Sequence, residues 1–249
     1  MTLERELAGL VGDLPEGISE GVALGTGLAD GYDLYESPIG SVVVTFNLNG
    51  VSGVGLADED FEGRFRERTG RALFRAEPPR AWARHVPEAL EAGRPGKVPV
   101  DLRSVTPFQE RVLRVTAGIP RGEVRPYSWL AKEVGKPSAV RAAGSAVARN
   151  PVPLMIPCHR VVRADGRIGN YSLGNPENKV VLLSHEGADP SWLERLAGRG
   201  VRYRANTQTK IFCHPTCRMI RRSKPENVVD LHGIEETAGY RACEICRPV

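Results

Sequence analysis

Apolar and polar positions change their period along this chain, and the changes divide it. Leu3, Leu7, Leu10 and Val11 recur at helical spacing in a short amphipathic opening, and a Gly- and acid-rich loop fills the rest of residues 1–31. From Tyr32 the pattern becomes that of strands: Tyr32 to Glu36, a turn at Ser37-Pro-Ile-Gly40, Ser41 to Leu48, a second turn at Asn49-Gly50, then Val51 to Leu56. Asn-Gly between two β-rich runs predicts a tight hairpin, because both residues tolerate the positive φ of such turns. Charged helical spacing over Asp60 to Arg75 and a shorter helix over Ala81 to Glu91 complete a small α+β unit, closed by the Pro/Gly-rich joint Gly93 to Val100.

Beyond the joint the period is helical. Pro107-Phe108 opens a helix that runs to Ala117, with Val112, Leu113 and Val115-Thr116 at core spacing. Ile119-Pro-Arg-Gly122 breaks it, a second helix covers Tyr127 to Val134, and Gly135-Lys-Pro137 leads into a third, Ser138 to Arg149. Two short helices across a Gly-containing turn fit a helix-turn-helix, and they fit ordinary core helices equally well. The third helix carries Ala139, Ala142, Ala143, Gly144, Ser145, Ala146 and Ala148 around Arg141. Such small side chains suit tight helix packing, or close approach to a DNA groove with Arg141 as a probe.

Composition adds a charge gradient. Residues 1–100 carry 10 Lys or Arg against 16 Asp or Glu, residues 101–200 carry 15 against 9, and residues 201–249 carry 9 against 5. The two basic segments suit a polyanionic partner, although many basic surfaces bind nothing. No apolar run approaches the roughly 20 residues of a membrane span, and the first residues show no secretory pattern. The expectation is a cytoplasmic protein without a membrane partner, at the nucleoid if the source is bacterial.

Five cysteines partition as one and four: Cys158 alone, then Cys213, Cys217, Cys243 and Cys246. An odd number without a secretion signal argues against a disulfide framework. Cys158 stands in Ile156-Pro-Cys-His-Arg-Val-Val162. A thiol titrates near 8.5 in isolation, so a nucleophilic cysteine needs a base or a positive field. His159 and Arg160 supply both types, and Glu186, in Leu182-Leu-Ser-His-Glu-Gly187, is the carboxylate that could complete a relay. A buried cysteine that only fills space is the plainer alternative.

The block from Phe108 to Gly187 resembles the catalytic domain of O6-alkylguanine-DNA alkyltransferases. The matching pieces, in the family's order and spacing, are Arg141-Ala-Ala-Gly144, Asn150-Pro-Val-Pro153, the Cys158 segment, Gly169-Asn-Tyr-Ser172 and the Glu186 segment. The resemblance implies that Cys158 accepts the alkyl group, with His159 as the water-linked base and Glu186 polarising it. It implies further that Asn150 organises the turn behind the reactive residue and Tyr127 helps rotate the nucleotide. Arg141 would take the place of the flipped base, approached through the minor groove of double-stranded DNA. Tyr171, Val161 and Ser172 would bind the guanine. The preceding residues resemble that family's ribonuclease-H-like N-terminal domain.

The terminal cysteines form C-x3-C and C-x2-C separated by 25 residues, a spacing that predicts a four-thiolate zinc site stapling a short segment. Phe212-Cys-His-Pro-Thr-Cys217, Glu226-Asn-Val228 and Ala238-Gly-Tyr-Arg-Ala-Cys-Glu-Ile-Cys-Arg-Pro248 resemble the metal-binding domain of Ada. In that family the first cysteine, here Cys213, takes a methyl group from a methylphosphotriester. Two departures stand out: Glu226 lies one residue further from Cys217 than in the family pattern, and the metal domain follows the alkyltransferase instead of preceding it. No AraC-like regulatory region lies between them.

The expected fold is α+β in four parts: an extension over 1–31, a ribonuclease-H-like domain over 32–100, a helix-turn-helix alkyltransferase domain over 101–200 and an Ada-type zinc domain over 201–249. The expected function is irreversible transfer from O6-alkylguanine to Cys158 by a monomer that uses zinc and no organic cofactor. Alternatives are a zinc domain that is only structural or DNA-docking, and a sensor of alkylated DNA that transfers nothing, whose relatives lack the acceptor cysteine.

Overall fold

The computed structural model describes residues 16–248; the amphipathic opening at Leu3 to Val11 lies outside them. Helix α1 (Glu16–Thr26) occupies part of the stretch expected to be loop. Strands β1 (Ala29–Ser37), β2 (Gly40–Asn47) and β3 (Gly50–Leu56) follow as two antiparallel hairpins. The second hairpin is where Asn-Gly placed it, displaced by one residue. Asn47 pairs with Gly50, so the turn residues are Leu48 and Asn49. Gly50, at φ +126°, is the first strand residue, and there a Cβ would overlap the Pro99 carbonyl.

Helix α2 (Phe61–Thr69) ends at Gly70 in the left-handed conformation, and the chain continues as strand β4 (Ala72–Arg75). The expected helix over Asp60 to Arg75 is therefore too long. Gly70 closes the last turn through its N–H to Arg66 O, and Leu73 is buried as β4 pairs parallel to β1. The sheet order is β3-β2-β1-β4. A 3-10 turn (Ala83–His85) leads into helix α3 (Val86–Ala92).

Three helices of the next region begin alike, with a capping side chain followed by proline: Thr106-Pro107 for α4 (Pro107–Ala117), Asn175-Pro176 for α7 (Pro176–His185) and Asp189-Pro190 for α8 (Pro190–Gly198). Each cap side chain accepts a backbone N–H of the first turn, and proline forfeits an N–H that would have had no helical partner. Between them stand the paired helices α5 (Tyr127–Glu133) and α6 (Val140–Ala148). Two short parallel strands, β5 (Arg125–Pro126) and β6 (Val161–Val162), flank them. The last unit is a four-stranded sheet of order β10-β8-β7-β9, made of β7 (Tyr203–Asn206), β8 (Ile211–Cys213), β9 (Val228–Leu231) and β10 (Arg241–Ala242), with the single-turn helix α9 (Arg218–Arg221).

The largest core joins the first sheet to the segment around the lone cysteine: Val42, Val44, Phe46, Trp82 and Leu90 pack with Val152, Leu154, Met155 and Ile156. Phe46 and Trp82 meet edge to face, with centroids 5.8 Å apart. A second core, under α4, α5 and α6, contains Cys158 itself. No helix among the described residues is long and apolar enough to cross a membrane. The segment 99–101 is laced to β3 by Val51 N–H to Pro99 O and Asp101 N–H to Val51 O, each 2.8 Å. Gly50→Ala should break this lacing and cost about 1–3 kcal/mol; a fall in the urea midpoint at unchanged slope would show it.

Candidate active site and metal centre

Cys158, His159 and Arg160 form a single 3-10 turn, with all three residues buried. The turn is held from behind by Asn150, whose amide donates to Ile156 O (2.8 Å) and whose side-chain oxygen accepts Val152 N–H (3.1 Å). Leu154, at φ +70°, makes the sharp return that this Pro-rich loop requires. Glu186 follows α7 as its C-cap, which brings its carboxylate under the same turn.

That carboxylate is the hub. Oε1 meets His159 Nε2 at 2.8 Å and Arg160 Nη2 at 2.6 Å, while Oε2 accepts from Arg160 Nε at 2.8 Å and from Gly122 N–H at 3.3 Å. Arg160 also donates to Ile119 O and Ala92 O, at 2.6 and 2.9 Å. Gly93, at φ +61°, leaves room for the guanidinium; a Cβ there would overlap it. Burial pushes the Glu186 carboxyl up, but hydrogen bonds from His159 and Arg160 and their charges outweigh it and hold the acid at about 2. Burial pushes the His159 pKa down against the pull of Glu186, so the imidazole is neutral at neutral pH. A carboxylate on Nε2 selects the Nε2–H tautomer, which leaves the Nδ1 lone pair as the basic atom. Nδ1 is buried and bonds no protein group.

Burial also pushes the Cys158 thiol up, and Asn150, the Lys179 ammonium and Tyr171 draw it part of the way back. The positive field comes from Lys179 and not from Arg160, whose charge is directed at Glu186. Lys179 is buried, donates to Val161 O at 2.6 Å, and is lowered by that burial to about 8. Neither role was assigned from the sequence. The signal available was helical spacing: Lys179 and Leu182 lie on one face of α7 with Glu186 as the C-cap beyond it, and a lysine on a face with a buried leucine has to find a partner. The Tyr171 ring stands edge-on to His159, centroids 6.3 Å apart, and burial beside Cys158 raises its phenol well above the usual value. Burial and the Cys158 sulfur raise Tyr127 as well, and its ring faces Gly144.

The structure thus gathers Cys158, His159, Glu186, Asn150, Tyr127, Tyr171 and the Val161 backbone. Ser172 and Arg141 remain exposed. Ser172 lies with Asn150 on the wall of a cleft of about 550 Å³ between the first sheet and this region. Helix α6 divides its small residues: Ala143 and Ala146 pack inward, while Arg141, Ala142 and Ser145 face out. Tight packing and an open small-residue face are both present.

The other four cysteines converge as well. Their sulfurs lie within 4.8 Å of one another and all four residues are buried. A tetrahedral zinc with bonds of about 2.3 Å sets its sulfurs about 3.8 Å apart, so the donor set fits with a small inward movement. Cys213, Cys217, Cys243 and Cys246 constitute the zinc site, and the adjacent His214 stands outside the cluster. Cys213 and Cys243 line a surface cleft of about 240 Å³ with Asn206, Met219 and Arg241; Cys217 and Cys246 do not.

Comparison with known proteins places the two sites in matches to two different family models. Residues 107–188 match the family model described as the 6-O-methylguanine DNA methyltransferase DNA binding domain, and residues 197–249 match the metal binding domain of Ada. A methylated-DNA–protein-cysteine methyltransferase of Methanosarcina barkeri is 36% identical over 165 residues, which cover 62% of this chain and 96% of that protein. The bifunctional transcriptional activator/DNA repair enzyme Ada of Escherichia coli is 35% identical over 167 residues, covering 65% of this chain but only 47% of that one. The crystal structure of Mycobacterium tuberculosis OGT in complex with DNA aligns over 66% of this chain and 98% of its own length, at 29% identity and TM-score 0.51. The chain belongs to the methylated-DNA–protein-cysteine methyltransferase family, with a metal binding domain of the Ada type at its C-terminal end.

Glu186→Gln should cost about 3–5 kcal/mol, because it leaves Arg160 charged and buried without its partner. For the native acid, a pKa lowered to about 2 stabilises the fold above the unfolded value of roughly 4.3. That contribution fades as pH falls through 4 towards 2. Urea denaturation across this range should show stability falling with acid in the parent protein and less steeply in the variant.

Proposed function

We propose that this protein repairs DNA by transferring an alkyl group from O6 of guanine to Sγ of Cys158, once and irreversibly. The observation that carries the reading is a buried cysteine beside a neutral histidine whose tautomer is set by a buried carboxylate, in a chain of this family. His159 Nδ1 takes the thiol proton through a water, Glu186 stabilises the resulting imidazolium, and the thiolate attacks the alkyl carbon as the bond to O6 breaks. The S–C bond forms, guanine leaves with the electron pair of the broken bond and is then protonated, and the thioether has no simple route back. Tyr171 donates a hydrogen bond to the departing base, and Val161 and Ser172 hold it.

Double-stranded DNA is the partner. The exposed face of α6 suits entry into the minor groove, with Arg141 filling the space of the flipped nucleotide and Tyr127 assisting its rotation, which limits an unstacking cost of a few kcal/mol. The domain limits given above are part of this reading, and β3-β2-β1-β4 with β4 parallel to β1 supports a ribonuclease-H-like assignment of the first sheet. This reading takes the protein as a monomer. At the zinc site the metal keeps its thiolates deprotonated near neutral pH. Cys213 combines that chemistry with a position on an open cleft, and this supports it as acceptor of methyl from DNA methylphosphotriesters. The alternative that the module only docks on DNA predicts no transfer there.

Peptide mapping by mass spectrometry after incubation with each substrate should place methyl on Cys158 from O6-methylguanine DNA and on Cys213 from a methylphosphotriester. Cys158→Ala should abolish the first transfer while DNA binding persists; transfer that survives would reject the assignment. Arg141→Ala should slow repair in duplex DNA more than reaction with the free modified base, and equal slowing would remove its role in flipping.

A further inference from the structure

The zinc module is seated on the alkyltransferase, and the residues that seat it adjoin the zinc ligands in sequence. Thr216, next to Cys217, accepts Val124 N–H at 2.9 Å through its hydroxyl and faces Val124 O at 3.3 Å. On the other side of Cys217, the Arg218 N–H donates to Glu123 Oε1 at 3.1 Å. Glu123 is fully buried and accepts from Arg125 Nη2 at 2.5 Å through its other oxygen. Arg247, next to Cys246, pairs with Glu133 at 2.5 Å and lies over the Trp129 ring at 6.0 Å, with Arg125 over that ring at 5.7 Å.

What these contacts grip matters for the first site. Arg125 and Pro126 are β5, which pairs with Val161 and Val162 just after the reactive turn. Pro126 is also the N-cap of α5, whose first residue is Tyr127, and Glu133 is its last. The module therefore holds α5 at both ends and satisfies the buried N–H of Val124. Without the ligated loop, that amide and the Glu123 carboxylate would lose buried partners, which is costly wherever water cannot replace them.

We propose that the zinc module is a positioning element of the O6-alkylguanine site, acting through Thr216 and Arg247 on β5 and α5. It sets the Val161 and Tyr127 walls against Cys158 and does not merely add affinity for DNA. This rests on the reading of Cys158 as acceptor. A free base separates the two roles, since its reaction needs the walls of the site and no DNA contact.

The test uses the zinc-loaded full chain and free O6-benzylguanine, following benzylation of Cys158 by mass spectrometry, zinc content, and hydrogen exchange at the Val124 amide. In Thr216→Val the zinc should remain, protection of Val124 should fall, and benzylation should slow on the order of tenfold; Thr216→Ser should restore both. Arg247→Gln, which leaves every thiolate and the Thr216 bond in place, should slow benzylation in the same direction with zinc retained. It decides the matter if Thr216→Val sheds its metal. Benzylation at the parent rate in a zinc-loaded variant that has lost its contact would overturn the proposal. Failure of the parent protein to react at Cys158 would instead overturn the acceptor assignment.

Discussion

The Glu186 carboxylate, buried under the reactive turn, is the constraint on which the alkyltransferase region depends. Four stretches of chain meet at it or at its partner Arg160: the end of α3 at Ala92, the loop from Ile119 to Gly122, the turn from Cys158 to Arg160, and the end of α7. A buried ion pair recovers its desolvation cost only when its remaining donors and acceptors are filled. Here both carboxylate oxygens bond the guanidinium, and the guanidinium reaches two further backbone carbonyls. The same carboxylate bonds Nε2 of His159, so one group fixes the geometry of the turn and the protonation of its histidine. Folding and chemistry are coupled at this point.

The two cysteine sites solve one problem in different ways. Cys158 lies in an apolar core that disfavours its thiolate, and the surroundings answer with a neutral histidine, the charge of Lys179 and nearby polar groups. That arrangement disfavours the thiolate while placing a neutral imidazole in the same turn. The terminal cysteines answer with four sulfurs close enough to share one cation, so their charge is met by metal.

Much of this was legible because it is local. Hairpin chemistry, the Pro107 start of α4, and the C-x3-C and C-x2-C pairs depend on residues a few positions apart, and the lone cysteine carried its resemblance in contiguous motifs. The errors are also instructive. Residues 72–75 read as the end of a charged helix because their partner, β1, lies about forty residues earlier, and parallel pairing leaves no trace in a local window. The Asn-Gly hairpin slipped by one residue because Gly50 is needed where the chain passes the Pro99 carbonyl, a neighbour forty-nine positions away.

By itself the sequence determined most of the local element types and marked Cys158, His159, Glu186 and the four terminal cysteines as candidates, because each stands in a short contiguous motif. Only the tertiary structure decided that Arg160 serves Glu186 while Lys179 serves Cys158. It alone showed that α6 turns one small-residue face inward and another outward, and that the zinc module rests on Val124 and α5. Those outcomes depend on which buried charge lies nearest to which partner once several distant segments have packed. Burial and Coulomb interaction are properties of that packing, and no stretch of sequence carries them alone.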